Sequence, residues 1–209
     1  MHERGQTKYQ VRFGWGAAGA GRIAADAHVL VWVDVLPTSE VRAVLPLLPA
    51  GPEVVHAGLA DADLVAERVL GLQAALGDRC VVAVVGAGVD DDATAGGAAP
   101  SLEDAGEAVA DPAGAPEPAV EDLLAAGAVV DALAARGIDH TSPEAAAACA
   151  AYTGLRRAVR HLLTASVSAT MLDAVGRHDL VEAALAAPAT LRTLRAGGAG
   201  GGREHGRRG

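Results

Sequence analysis

The sequence predicts an α/β protein in which a mostly parallel or mixed sheet is flanked by alanine-rich helices. Short, valine-rich apolar runs alternate along the chain with longer segments whose apolar residues recur at helical spacing. Apolar runs this short are typical of strands buried on both faces, as in parallel sheets covered by helices. Apolar residues make up 51% of the chain but aromatic residues only 2%, so aliphatic side chains must build the core. Together these patterns favour βαβ units.

Four strands are predicted in the first half of the chain, and the second of them, VLVWVDVL, is almost wholly apolar. A short helix is expected after the first strand, and a longer one begins near Asp61 or Asp63, either of which can serve as its N-cap. The predicted strands cover residues 9–13, 29–36, 53–57 and 80–85, and the two helices cover residues 17–24 and 61–76.

The second half of the chain is predicted to be helical after a flexible loop at about residues 86–118, which is rich in glycine, proline and acidic residues. Ser142 and Pro143 indicate a helix start, because a hydroxyl N-cap is followed by proline at the first helical position. We expect one α/β domain over residues 1–195 and a disordered Gly/Arg-rich tail over residues 196–209. Helices are predicted at residues 120–135, 143–163, 172–175 and 180–185.

Composition argues against several classes of partner. The net charge of −9 repels phosphate backbones, so no nucleic-acid partner is expected. Cys80 and Cys149 lie far apart in apolar or alanine-rich segments, which does not indicate a disulfide framework. The polar N-terminus lacks the apolar core of a signal peptide, and no apolar run is long enough to cross a bilayer. A cytoplasmic protein without a membrane partner is therefore expected, and a homodimer that buries the helices is left open.

A glycine-rich turn follows the first predicted strand and matches the pattern GxGxxG at Gly14, Gly16 and Gly19. In dinucleotide-binding folds such glycines let the backbone approach a pyrophosphate, and an acid after the next strand binds the ribose. Asp34 has that second position. Against this interpretation, Arg12 interrupts the first strand, the intervening helix is short, and glycine-rich turns are common in a chain with 26 glycines.

Asp34 is the first candidate for a functional carboxylate. It follows the buried strand that begins at residue 29, and open α/β sheets place their chemistry at the carboxyl ends of strands. An ionised carboxylate there needs a cation or hydrogen bonds to offset its desolvation. Thr38 and Ser39, just beyond it, supply hydroxyls for an anion or a metal-bound water. The alternative is an aspartate that only caps the following turn.

Glu121 and Asp122 are adjacent acids in the first turn of an apolar helix. The helix dipole alone favours carboxylates at this position, so a purely structural role is one interpretation. The other is a site for a hard cation, since magnesium prefers oxygen ligands and usually takes one or two carboxylates. The run of acids at residues 90–92 is expected to be a solvated turn.

Several segments, taken in order, resemble the 2-phosphosulfolactate phosphatase (ComB) family. The segments YQVRFGWG at residues 9–16 and AADAHVLVWVDV at residues 24–35 are similar to its first two strands. The segment PAVEDLLAAGA at residues 118–128 is similar to its most recognisable helix, and residues 142–152 and 166–185 resemble the helix that follows and the closing region. The resemblance covers roughly two-thirds of the chain.

This resemblance implies hydrolysis of a small anionic phosphoester, 2-phosphosulfolactate, to sulfolactate and phosphate with magnesium as the cofactor. It places the metal at Asp34, Glu121 and Asp122, with Asp34 and Glu121 as the catalytic pair. It also makes Arg12 a clamp for phosphate or sulfonate, and Thr38 lies where it can join Arg12 in binding the substrate.

The chain departs from the family pattern at three places, one of which is LPTSE at residues 36–40, where the family usually continues from the aspartate into a Ser/Thr-rich turn. Gly14 stands where the family has an aspartate before the tryptophan, and the family's Asn-Gly-Ser/Thr substrate-binding stretch is missing or replaced by the loop at residues 86–118. Two alternatives therefore stay open. One is a catalytically degenerate scaffold that acts as a binding protein, and the other is a dinucleotide-binding oxidoreductase built on the GxGxxG turn and Asp34.

Overall fold

The computed structural model describes residues 5–37, 41–89 and 116–198, and in these ranges a five-stranded sheet carries helices on both faces. The predicted α/β fold is confirmed. Thr38, the acids at residues 90–92, most of the predicted loop and the end of the predicted tail lie outside the described residues. The strands are β1 Val11–Trp15, β2 Val29–Val33, β3 Glu53–Ala57, β4 Val82–Gly86 and β5 Arg192–Arg195.

Helices in the described ranges connect these strands and then form a C-terminal helical layer. Leu45–Leu47 adds one turn of 3-10 helix. The α-helices are α1 Gly16–Ile23, α2 Val41–Val44, α3 Ala62–Leu76, α4 Val120–Ala134, α5 Pro143–Leu155, α6 Val159–Thr164, α7 Val167–Ala174 and α8 His178–Ala186. No helix in these ranges has both the length and the apolar character that a bilayer crossing demands.

The order of strands in the sheet is β1-β4-β2-β3-β5. The first four strands of that order run parallel, and β5 pairs antiparallel with β3, so the sheet is mixed. Because parallel strands begin and end at the same edges, the carboxyl ends of β1, β4, β2 and β3 lie along one edge of the sheet. Any group that follows one of these strands is therefore delivered to that edge.

Alternation along the strands divides the core into two layers, one on each face of the sheet. Val29, Val31 and Val33 pack with residues of α3 and α4, whereas Leu30 and Trp32 pack with residues of α1. Side chains of a strand point alternately to its two faces, so an almost wholly apolar strand serves both layers. This explains why β2 has no exposed residue.

Helix α4 crosses the centre of one layer and packs closely against α5. Ten of its fifteen residues are buried, as expected for a helix that is apolar around its circumference. The two helices meet at Gly127, where a Cβ atom would lie 2.2 Å from the carbonyl oxygen of Ala148 and 2.7 Å from the Cβ of Tyr152. A glycine is thus required for this approach.

Several elements differ from the sequence predictions, among them α7, which covers residues 167–174 instead of 172–175. The helix predicted from residue 143 to 163 is broken into α5 and α6, although Ser142 caps it as expected by accepting a hydrogen bond from the N–H of Ala145 at 3.1 Å. Neither α2 nor β5 was predicted. The sequence of β5, RTLR, is polar and half exposed, because an edge strand held mainly by backbone pairing needs no apolar run.

Replacing Gly127 by alanine tests the contact between α4 and α5. We expect Gly127→Ala to lower the free energy of unfolding by about 1–3 kcal/mol, since the methyl group meets rigid backbone of α5. The control is Gly71→Ala in α3, where no atom lies within 4 Å of the added Cβ. That substitution should raise the stability by about 0.5–1 kcal/mol through helix propensity. Urea denaturation measures both, and equal effects of the two substitutions would contradict the packing described.

Candidate functional site

Asp34 lies at the carboxyl edge of the sheet, directly after β2. Its backbone N–H donates to the carbonyl of Ala57 at 3.3 Å, which continues the pairing of β2 with β3 by one residue. The residue is 8% exposed, so it retains some contact with solvent. Its predicted position at the end of an inner strand is therefore confirmed.

Asp122, in the first turn of α4, links the ends of two strands. Its Oδ1 accepts a hydrogen bond from the N–H of Val35 at 2.9 Å, and its Oδ2 accepts one from the N–H of Gly88 at 2.9 Å. Val35 follows β2 and Gly88 follows β4. One carboxylate thus attaches the start of α4 to the two central strands of the sheet.

Gly88 has a backbone that suits this contact. Its φ of +74° lies in the left-handed region, and a Cβ atom there would lie 2.6 Å from the carbonyl oxygen of Glu117. Glycine tolerates both conditions, whereas a larger residue does not. The turn after β4 can therefore present its N–H to Asp122.

Glu121 is almost wholly buried, at 2% exposure, and its Oε2 has no hydrogen-bond partner among the described residues. A buried ionised oxygen without a partner is costly, and it is the kind of atom that a cation or a proton stabilises. The side chain is nevertheless too deeply buried to reach a substrate from solvent in this conformation.

The acids influence one another through their charges. Burial raises the pKa of Asp122 well above its ordinary value, and the negative charges of Asp34 and Glu121 raise it further. The hydrogen bonds from Val35 and Gly88 lower this pKa in part. Asp34 and Asp122, 88 positions apart in the chain, are thus close enough to interact electrostatically.

The donor set suits a hard cation only in part. Asp34 borders solvent, and each oxygen of Asp122 keeps a lone pair beyond the one used by a backbone N–H. Magnesium commonly takes one or two protein carboxylates and retains waters. Within residues 5–37, 41–89 and 116–198, however, no group of three His, Cys, Asp or Glu side chains is arranged to hold one metal ion. The predicted set of Asp34, Glu121 and Asp122 is therefore not a preformed three-ligand site.

The side chain of Arg12 has a structural role. Its side chain is 1% exposed, and all five of its N–H groups find acceptors in the protein, so none is left for a phosphate. Asp26 takes two of these bonds, which lower the pKa of that aspartate, and three backbone carbonyls take the rest. These carbonyls belong to Thr7, Tyr9 and Ile23. The geometry thus gives no support to the expectation that Arg12 clamps the substrate.

The GxGxxG turn and Asp34 do not form one site. Strand β4 lies between β1 and β2, whereas in dinucleotide-binding folds the strand bearing the acid lies next to the first strand. Gly14 and Gly19 line a cavity of about 970 Å³ beside β1, and Asp34 lines a different one. The ring of Pro116 also covers Gly16, the first residue of α1. This topology does not favour the dinucleotide hypothesis.

A cavity of about 320 Å³ lies beside Asp34. Its polar lining includes His56 on β3, Asp61, Thr190 and Arg192 on β5. The sequence pattern singles out neither His56 nor Arg192, since β5 carries no apolar pattern. The pairing of β3 with β2 places His56 near Asp34, and the pairing of β5 with β3 adds Arg192 to this edge.

No protein-family model matches this chain, and no curated protein matches it at a significant level. Fold and site thus define an α/β protein with buried acids at the carboxyl edge of its sheet.

Substitution of Asp122 tests the effect of its buried charge on stability. The folded protein binds the Asp122 proton more tightly than the unfolded chain, in which the pKa is near the ordinary 3.8. The stabilisation from this group is therefore complete below that pH and is lost as the pH rises through the raised folded-state pKa. The free energy of unfolding of the wild type should therefore fall as the pH rises. We expect Asp122→Asn to remove this fall, as measured by urea denaturation from about pH 4 to about pH 8.

Asp139→Asn is the control for Asp122→Asn, since Asp139 is exposed and lies near the opposite edge of the sheet, before the bridge between Thr141 and Val11. It removes the same formal charge. If both variants show the same pH dependence as the wild type, the buried charge of Asp122 does not have the effect described.

Substitution of Arg12 tests its structural role. Arg12→Gln should lower the free energy of unfolding by about 2–4 kcal/mol, because buried carbonyls lose their donors. Arg79→Gln, at an exposed arginine in the turn after α3, should change it by no more than about 0.5 kcal/mol. A stable Arg12→Gln variant would contradict the role assigned to this side chain.

Proposed function

We propose that this chain is a magnesium-dependent phosphatase-like enzyme that hydrolyses a small anionic phosphoester, with 2-phosphosulfolactate as the foremost candidate. The observation that carries the proposal is that Asp34 lines a cavity of about 320 Å³ at the carboxyl edge of the sheet and interacts electrostatically with Asp122. The resemblance of residues 118–128 to the family's most recognisable helix supports the choice of substrate. The proposal includes a cytoplasmic location and no nucleic-acid or membrane partner, and it leaves a homodimer open.

In this proposal Asp34 is the catalytic carboxylate, because it lines the cavity and retains contact with solvent. It would help to hold the metal and would orient the attacking water and accept its proton. When bound, magnesium supplies neutralisation of the phosphoryl oxygens, which lowers the electrostatic barrier to attack by water.

Asp122 acts in this proposal as a positioning residue. Its bonds to Val35 and Gly88 fix the turns that follow β2 and β4, and so fix the segment in which Asp34 lies. Glu121, predicted as a second catalytic residue, instead adds buried negative charge that attracts the cation. The catalytic role that the resemblance divides between two acids thus goes to Asp34 alone.

A non-catalytic binding protein on the same scaffold is the second candidate. Two observations favour it: both oxygens of Asp122 are already bonded to backbone, and Glu121 is almost wholly buried. In this second candidate Asp122 only anchors α4 to the sheet, and no acid takes part in a reaction. A measurement of substrate turnover distinguishes the enzyme from the binding protein.

The test is phosphate release from 2-phosphosulfolactate with and without magnesium. We expect release by the wild type that stops on chelation, and a loss of about 10²- to 10³-fold in kcat for Asp34→Asn. Asp139→Asn, at the opposite edge of the sheet, should retain the wild-type rate. Isothermal titration calorimetry should show magnesium binding that is weakened in Asp34→Asn.

Two results would overturn the enzymatic proposal. One is full activity of Asp34→Asn, and the other is a folded wild type that neither binds magnesium nor releases phosphate. The second result would favour the binding protein.

A further inference from the structure

The C-terminal segment of the described chain lies along one side of the cavity beside Asp34. Asp61, which precedes α3, accepts a hydrogen bond from the N–H of Thr190 at 2.8 Å through Oδ1 and one from the N–H of Gly58 at 2.7 Å through Oδ2. These bonds attach the segment before β5 to the turn after β3. The start of β5 and the segment before it therefore form one wall of the cavity at the carboxyl edge of the sheet.

His56 and Arg192 are direct cross-strand partners in the antiparallel pair of β3 and β5. Residues opposite each other in such a pair project to the same face of the sheet, with Cβ atoms about 4.5–5.5 Å apart. Both side chains line the cavity. They form a pair of nitrogen-bearing groups on one wall.

The charged side chains that line the cavity differ in how accessible they are to a ligand. Asp61 has both oxygens engaged by backbone N–H groups, as described above. Among the described residues that line this cavity, Arg192 is the one Lys or Arg. It is exposed, so a ligand that enters from solvent can reach it. Burial lowers the pKa of His56, and the charge of Arg192 lowers it further. The ring is hydrogen-bonded to the backbone of Asp34, so a neutral imidazole has no second N–H for a ligand.

We propose that Arg192 forms an oxyanion subsite, beside His56, that binds the carboxylate or sulfonate group of a phosphoester whose phosphoryl group lies at Asp34. This inference rests on the proposed function and gives the substrate-binding role expected of Arg12 to an arginine that borders open space. A guanidinium offers paired N–H donors that match the oxygens of a carboxylate or sulfonate. A cavity of about 320 Å³ has the size of a small metabolite site.

Two substrates that differ by one group test the subsite. Phospholactate carries a carboxylate beside its phosphate ester, and isopropyl phosphate has a methyl group in place of that carboxylate. For Arg192→Gln we expect kcat/KM for phospholactate to fall about 10- to 100-fold, mainly through KM, because a charge-assisted contact is lost. The value for isopropyl phosphate should change less than about threefold.

Arg177→Gln is the matched control, since Arg177 is an exposed arginine that precedes α8 and does not line the cavity. It should leave both substrates unaffected. Arg192→Lys, which keeps the charge but not the paired donors, should give an intermediate loss for phospholactate and serves also if the glutamine variant fails to fold. An equal loss for both substrates, or none for either, would overturn the subsite while leaving the proposed function standing.

Binding without turnover separates the subsite from the phosphatase activity. Calorimetric titration with sulfolactate, which has no phosphoryl group, should show binding to the wild type that Arg192→Gln weakens about 10-fold or more. If this holds in a protein that hydrolyses neither substrate, the subsite stands and the phosphatase proposal fails. If sulfolactate binds equally to the wild type and to Arg192→Gln, or binds to neither, the subsite is overturned.

Discussion

The double hydrogen bond of the Asp122 carboxylate holds together the edge of the sheet where the site lies. The N–H groups of Val35 and Gly88 belong to turns that follow different strands. A carboxylate that accepts from both sets the spacing of these turns and attaches α4 to them. Hydrogen bonds to an ionised group are stronger than neutral ones, which suits a junction of three elements.

This junction requires a charge to be buried close to other charges. Asp122 lies near Asp34 and beside Glu121, so its ionised form is disfavoured by burial and by repulsion. Protonation weakens the two bonds that Asp122 accepts, but it removes the larger costs of burial and repulsion. A bound cation would relieve the repulsion and keep Asp122 ionised, so metal binding and the integrity of the edge are coupled in the proposed enzyme.

The cavity shows how an edge strand can complete a site. Without β5, the carboxyl end of β3 would be open to solvent on one side, and His56 would keep only Trp32 of β2 as a cross-strand neighbour. The bonds of Asp61 to Thr190 and Gly58 bring the C-terminal segment to this edge. Arg192 borders the open cavity at this edge, whereas Arg12 is buried among its hydrogen-bond acceptors. Position in the fold thus decides which arginine is available to a ligand.

By itself the sequence determined the α/β class, the third strand to the residue, the start of α4 and the Ser142 cap, because apolar periodicity and capping chemistry are local. It also indicated that Asp34 ends an inner strand. Only the tertiary structure decided that β4 separates β1 from β2 and that acceptors in the protein occupy every N–H of Arg12. It also decided that Arg192 of β5 lies opposite His56 of β3. Strand order and side-chain partners depend on contacts between residues remote in the chain, and no local pattern encodes them.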